Sequence, residues 1–420
     1  VSERPPPVRI DDLAEPRFSD DVRAILDFME GAGSELTLEP AALMAAVVAE
    51  TGLDDYGPDD FVERLGLLCR AMQEEGGFNG AGVLQQHVFI SGLLKNRLLV
   101  EDLVRRHPEI LEERIAAPIV ICGLPRTGTT HLHNLMSADL ALRSLPYWES
   151  LEPVLAEHEK PAAGAPDPRK ERTAAALSFL NTALPYFNRM HEMTVDHTHE
   201  EIQLLAIDFS TMLFETTAPM PMWRDAYLAR DQRPSYAYLL KILKVLQWLR
   251  GGSRWVLKSP QHLEQFPALV DTFPDATFVV THRDPVSVTA SMMTMIAYAA
   301  RLTRDRVDVE GIGAYWADRL ERMLRRCAEE RDVLPAEQTI DVHFDEFMAD
   351  DLAMVGRVYD LAGQPLDDRA RSSMAAFMSE HPRGLHGAIL YDLGQFGLDA
   401  GDRRRALAFY SERFGVTLES

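Results

Sequence analysis

Residues 118–137 read P-I-V-I-C-G-L-P-R-T-G-T-T-H-L-H-N-L-M-S, and this stretch decides the fold. From Pro118 to Cys122 it is an apolar run of strand length, and a helix is expected from Gly128 onward. Gly123 and Gly128 are separated by four residues and followed by Thr129 and Thr130. That is the spacing G-x-x-x-x-G-K-[ST] of a phosphate-cradling loop, with Thr129 where the lysine should be. Backbone N–H groups of such a loop, aimed by a helix N-terminus, hold an anion whatever the side chains are. Without the lysine the loop lacks its usual grip on the γ-phosphate of a nucleoside triphosphate. Arg126, inside the loop, can supply the missing positive charge.

Working outward, three further short apolar runs fit buried parallel strands: 254–258, 276–281 and 339–344. Each precedes a helical pattern, at 261–272, 285–300 and 352–362, and 142–149 reads as an additional short strand. The alternation predicts an α/β fold, a doubly wound parallel sheet of about five strands flanked by helices, over residues 116–420. Ligands then belong beyond the strand C-termini, after Cys122, Leu257, Val280 and Val342. Residues 1–115 carry apolar residues at helical intervals (20–29, 40–51, 58–72, 83–105) and are expected to form an N-terminal helical region. The proline-rich 161–170 reads as a lid or surface connection, and 234–249 as an apolar helix. Thr198 and Glu201 have the spacing of a capping box ahead of the apolar run 202–214.

Composition narrows the function classes. The chain of 420 residues has 43 Lys and Arg against 65 Asp and Glu, a formal charge of −22 that argues against general nucleic-acid binding or adhesion to an anionic membrane. Any anion site is therefore a local basic concentration inside an acidic shell. Three widely spaced cysteines, Cys69, Cys122 and Cys327, fit neither a disulfide scaffold nor a zinc site and are expected as buried thiols. The start lacks a signal-type apolar segment, and a cytoplasmic protein is the expectation.

Unusual polar residues cluster where the strand ends are expected. At the end of the run 254–258 come Lys258, Ser259 and His262 in L-K-S-P-Q-H; after the run 276–281, Arg283 and, eight residues on, Ser291. H-P-R-G-L-H later supplies Arg383, Gly384 and His386. Cations in loops, rather than on a solvated helix face, are what a doubly phosphorylated nucleotide needs.

These residues resemble the sulfotransferases that use 3′-phosphoadenosine 5′-phosphosulfate (PAPS). P-R-T-G-T-T looks like their 5′-phosphosulfate loop, and the Arg283/Ser291 pair looks like their 3′-phosphate motif. L-K-S-P-x-H, the W-E after the loop helix and V-H-F-D-E-F are similar to a bacterial branch whose core resembles the tyrosylprotein sulfotransferases. The resemblance covers residues 116–400. It implies a sulfotransferase acting on a hydroxyl, or failing that an amine, of a small apolar acceptor, releasing PAP and needing no metal. It further implies that Arg126 and Lys258 stabilise charge on the oxygen between phosphate and sulfur. Thr127, Gly128, Thr129 and Thr130 would cradle the 5′-phosphate, Arg283, Ser291 and Arg383 would hold the 3′-phosphate, and Phe344 would stack on adenine or fill the core.

For the general base, the position of the cytosolic family's histidine is Pro260 here, and the resemblance to the tyrosylprotein branch, which uses a glutamate shortly after the loop helix, implies Glu149 as the acid/base residue. His262, His197, His199, Glu200 and Glu201 are its alternatives. His191, His197 and His199 match no standard metal spacing. Two other readings stay open at this stage: a P-loop kinase or NTPase with Asp284 as metal ligand, and a nucleotide-binding protein of this fold without turnover. Met292, Met293, Met220 and Met222 read as core or acceptor pocket, and Arg403 to Arg405 as a solvated helix face.

Overall fold

The computed structural model describes residues 5–162, 164–382 and 384–419. Among them four strands form one parallel sheet: β1 (Ile119–Cys122), β2 (Val256–Ser259), β3 (Thr277–His282) and β4 (Thr339–His343), in the order β2-β1-β3-β4. The register sets Cys122 beside both Ser259 and Val280, and His282 beside His343, so the strand C-termini line one end of the sheet. From β1 the chain goes first to β2 on one side and then to β3 on the other. Such a reversal opens a crevice at the C-terminal end of the central strand, the usual ligand position in an open α/β sheet.

The expected strand at 142–149 does not form. Arg143 makes a single bridge to Trp255, and a short helix, Tyr147–Leu151, takes over. Pro146 starts that helix and lacks the N–H that a further ladder would need. The sheet therefore has four strands among the described residues, one fewer than expected.

The sheet separates two apolar layers, as the alternation of side chains along a strand requires. Ile119, Ile121, Val256 and Val279 face Leu132, Leu135 and Met136 of α5 (Thr129–Ser137) and the helices after β4. Val120, Cys122, Leu257, Phe278 and Val280 face the opposite layer. That layer is shared with the N-terminal helices α1 (Asp20–Gly33), α2 (Pro40–Thr51), α3 (Phe61–Glu74) and α4 (Gly80–Arg106). The helices of residues 20–106 thus bury their apolar faces in the same core as the sheet. A polar knot reinforces the junction. Asp208 accepts from Arg64 of α3 at 2.7 Å, Arg97 of α4 at 3.0 Å and Ser235 at 2.6 Å, all buried.

The three cysteines are free and buried. Met220, Met292 and Met293 belong to the core. Among the described residues, no helix is long and apolar enough to cross a membrane.

Candidate active site

The loop after β1 is built so that its backbone faces outward. A Cβ on Gly123 would lie 1.9 Å from the Thr281 hydroxyl, so only glycine lets β1 and β3 approach this closely. Thr127 donates from its hydroxyl to Leu124 O at 2.7 Å and lies 2.7 Å from the Thr281 hydroxyl. Its side chain is therefore a strut of the loop, so the Thr127 hydroxyl is already engaged within the protein and does not serve the phosphate cradle expected of this residue. Gly128, at φ 87°, turns the chain into α5. Neither it nor any neighbouring side chain caps the helix, which leaves the first N–H groups of α5 for another acceptor. Thr129, in the lysine's place, is buried, and Thr130 is partly exposed. Arg126 holds an unfavourable φ of 71°, is exposed, and donates to Met190 O at 2.7 Å.

Lys258 arrives from the end of β2 and is held at both ends by consecutive carboxylates. Its ammonium pairs with Glu200 Oε1, and its backbone N–H donates to Glu201 Oε2 at 2.8 Å. Being on the edge strand, that N–H has no sheet partner on its outer side, and Glu201 satisfies it. The other Glu201 oxygen meets His262 Nε2 at 2.5 Å, and His262 Nδ1 lies 2.8 Å from the Tyr236 hydroxyl. Glu201, His262 and Tyr236 are all buried. The expected capping box at Thr198 and Glu201 is absent, because the Glu201 carboxylate is committed to β2 and His262. The expected role of His262 as a catalytic group is likewise corrected. With both ring nitrogens bonded and no surface exposed, it buttresses Glu201 instead.

Three imidazoles stand nearby. His191, His197 and His199 have ring centroids 6.0 to 6.4 Å apart. Burial, with Lys258 adding repulsion, pulls His191 down to about 3 and His197 down to about 4. Burial and the neighbouring His191 and His197 push His199 in the same direction. All three are neutral at pH 7. Among the described residues the buried His199 Nδ1 has no hydrogen-bond partner. Among the described residues, no group of three or more His, Cys, Asp or Glu is gathered as a metal would require.

After β3, Arg283 lies over the Phe344 ring at 4.0 Å and donates through Nη1 to Arg126 O at 2.6 Å. It thereby joins the loops after β1 and β3. Phe344 is partly exposed beside Gly128, whose added Cβ would meet it at 3.3 Å, so it borders the anion loop rather than filling the core. Ser291 is 3% exposed, and among the described residues its hydroxyl has no partner. Arg383 lies outside the described residues.

Glu149 is not placed to act as a base. Its Oε2 accepts from Arg143 at 2.6 Å and its Oε1 pairs with Arg250 at 2.9 Å, with the carboxylate buried. Arg143 lies beside the N-terminal end of β2, where it bridges Trp255, three residues upstream of Lys258. Asp284 is equally committed. Its Oδ1 caps the helix Pro285–Ala300 through Val286 N–H at 2.9 Å, and its Oδ2 accepts from Arg404 at 3.0 Å and from Glu419 N–H at 2.8 Å. A metal-ligand role for Asp284 therefore has no free oxygen to rest on.

Two residues in the site escaped the sequence: Arg404 and Glu419. Arg404 was expected on a solvated face, but it reaches Asp284 and the Glu419 carbonyl. Arg403, beside it, is buried and donates to Ala317 O at 2.9 Å. Glu419 has no sequence signal, since its partner Arg283 lies 136 residues away.

A sequence profile described as "Sulfotransferase family" matches residues 118–368. The omega-hydroxy-beta-dihydromenaquinone-9 sulfotransferase Stf3 of Mycobacterium bovis is 23% identical over 265 residues, which span 59% of this chain and 62% of Stf3. The crystal structure of sulfotransferase STF1 from Mycobacterium tuberculosis is similar with a TM-score of 0.75 at 30% identity, covering 88% of this chain and 98% of STF1. That of STF9 from Mycobacterium avium gives 0.80 at 24% identity over 90% and 97% of the two chains, a likeness of fold. The profile spans the anion loop, Lys258, Arg283 and Ser291, the residues that the sheet gathers at one end. By this match the chain belongs to the sulfotransferase family.

Proposed function

We propose that the chain moves the sulfuryl group of PAPS to a hydroxyl of a small apolar acceptor. The observation that carries this reading is a pair of anion seats on one sheet end. One is the uncapped N-terminus of α5 after β1, and the other is Arg283 with the orphaned Ser291 hydroxyl after β3. A nucleotide phosphorylated at both 3′ and 5′ uses both seats; a 5′-triphosphate uses one. The residues present fit the group.

Transfer replaces the sulfur's bond to the 5′-phosphate oxygen by a bond to the acceptor oxygen. The departing oxygen then needs a cation and the acceptor's proton needs a base. Lys258, clamped by Glu200 and Glu201, supplies the cation, with Arg126 at the rim. Glu200 takes the proton. Its Oε1 is on the Lys258 ammonium, and its second oxygen carries no hydrogen bond among the described residues. The neutral imidazoles of His197 and His199 frame the same position without competing for the anion seats. A hydroxylated apolar acceptor is suggested by the name of Stf3, of which this chain spans 62%.

The test is binding followed by transfer. PAP is expected to raise the melting temperature in EDTA, and PAPS with a panel of hydroxylated isoprenoids and other apolar alcohols is expected to give a product heavier by one SO₃. Stabilisation by ATP with Mg²⁺ but not by PAP would refute the reading.

A further inference from the structure

A carboxylate already occupies the second anion seat. Glu419 lies in the segment after the helix Ala408–Phe414 and meets Arg283 as a fork. Arg283 Nε donates to Oε1 at 2.5 Å and Nη2 to Oε2 at 2.8 Å. This bidentate geometry is also how guanidinium holds a phosphate. With Nη1 on Arg126 O and the flat face on Phe344, Glu419 holds the Nε/Nη2 edge of Arg283. A 3′-phosphate takes that fork only by displacing Glu419.

The segment is built to present that carboxylate. Glu419 N–H donates to Asp284 Oδ2 at 2.8 Å, its carbonyl accepts from Arg404, and Arg404 also donates to Asp284 Oδ2 at 3.0 Å. Thr417 Oγ1 donates to Asp345 at 2.8 Å, tying the segment to the helix that opens with Phe344. Hydrogen bonding to Arg283 holds the Glu419 carboxyl below its usual range, so it is charged at neutral pH. Among the described residues the Ser291 hydroxyl stays unpartnered, so Glu419 takes only part of the seat.

We propose that Glu419 is an internal competitor for the 3′-phosphate seat and sets both the affinity and the selectivity for 3′-phosphorylated adenylates. The proposal rests on the nucleotide reading above. It makes a specific claim about selectivity. A nucleotide with a free 3′-hydroxyl leaves the Glu419–Arg283 fork in place and incurs no penalty. One with a 3′-phosphate must break the fork, and gains the phosphate contact in return. The same competition acts on PAP after transfer, since PAP keeps its 3′-phosphate, and it therefore favours product release.

Calorimetric dissociation constants for PAP and 5′-AMP test this on the wild type, Glu419→Gln, Glu419→Ala and Arg283→Ala. Glu419→Gln removes the charge and is expected to tighten PAP by about tenfold or more while leaving 5′-AMP within about twofold. Glu419→Ala, which also removes the amide's hydrogen bonds, is expected to tighten PAP at least as much. Unchanged or weakened PAP binding in both Glu419 variants, with Arg283→Ala still weakening it, overturns the competitor and makes Glu419 a support of Arg283. Wild-type protein that binds PAP no better than 5′-AMP, with Arg283→Ala affecting neither, overturns the nucleotide reading and the proposal together.

Discussion

Glu200 and Glu201 are neighbours in sequence, yet they act on opposite ends of one lysine. Glu200 neutralises the Lys258 ammonium, and Glu201 fixes its backbone through the outer edge of β2. Glu149, the third carboxylate near this edge, has a different task. It joins Arg143 and Arg250 below the site, where burial already pulls the Arg143 guanidinium down from its usual range. The two carboxylates are therefore expected to respond in opposite ways to the same change. Glu200→Gln should lower turnover by about 10²-fold or more, the usual scale for loss of a positioned base, with PAP affinity nearly unchanged. Glu149→Gln should leave turnover per folded molecule intact and cost about 3 kcal/mol of stability, because it strands a buried arginine. Urea midpoints and single-turnover rates on both variants separate these outcomes. A Glu149 variant that keeps its stability and loses its chemistry would return the base to Glu149.

The strand-loop-helix unit around Gly123 depends on how closely β1 and β3 pack. Alanine at position 123 would set its Cβ 1.9 Å from Thr281 Oγ1 and 2.8 Å from Thr129 Cγ2. Gly123→Ala is expected to cost about 2–3 kcal/mol and to abolish PAP binding, as overpacking pushes the loop off β3. Adding Thr281→Ala removes the clashing hydroxyl and should recover most of the stability, a double-mutant cycle read by urea unfolding. No recovery would mean that the loop is not held by this contact. The unit was legible in sequence because everything it needs is local: an aliphatic run, two glycines at fixed spacing, and a helical period. The same holds for β3 and β4 and for α1 to α4, whose expected and observed bounds differ by a few residues. Local pattern failed at 142–149, where a run ambiguous between strand and helix was resolved by Pro146 and by Trp255, far along the chain. It failed at Glu201 for a related reason. The capping-box spacing is real, but a buried edge-strand N–H and His262, 61 residues away, compete better for the carboxylate. The cations of the site were legible because their types and loop positions are conspicuous. Their acidic partners Glu200, Glu201 and Glu419 could not be assigned, since pairing across the fold leaves no trace in spacing.

Across the whole molecule, the histidines carry a pH signature that no single element has. The fold buries His133, His191, His197 and His199 in their neutral form, chiefly through desolvation, with Lys258 repelling the charged form of each. In the unfolded chain each returns to about 6.5. For a histidine depressed in the fold, the unfolded state binds more protons between the two values, so stability rises with pH through that window and falls as the solution is acidified. The window opens near pH 6.5 and runs down to about 4 for His197 and about 3 for His191. Each histidine contributes a slope of at most about 1.4 kcal/mol per pH unit there. Glu215, whose carboxyl burial pushes up, acts in the opposite sense and offsets part of the slope. His282, also depressed by burial, adds to the slope and Glu330, also raised by burial, subtracts from it, and five against two leaves the net sign to the histidines. Urea midpoints measured from pH 7.5 to 4.5 should therefore stay level above pH 7 and decline steadily below 6.5, before the bulk of the carboxylates titrate. His197→Gln keeps a polar side chain without the titrating group, and should flatten the part of the decline between pH 6.5 and 4.5. A midpoint independent of pH across that interval would show that protons reach these imidazoles in the folded protein. The site would then be open to bulk water, and a positively charged histidine cluster would stand beside Lys258 at pH 6.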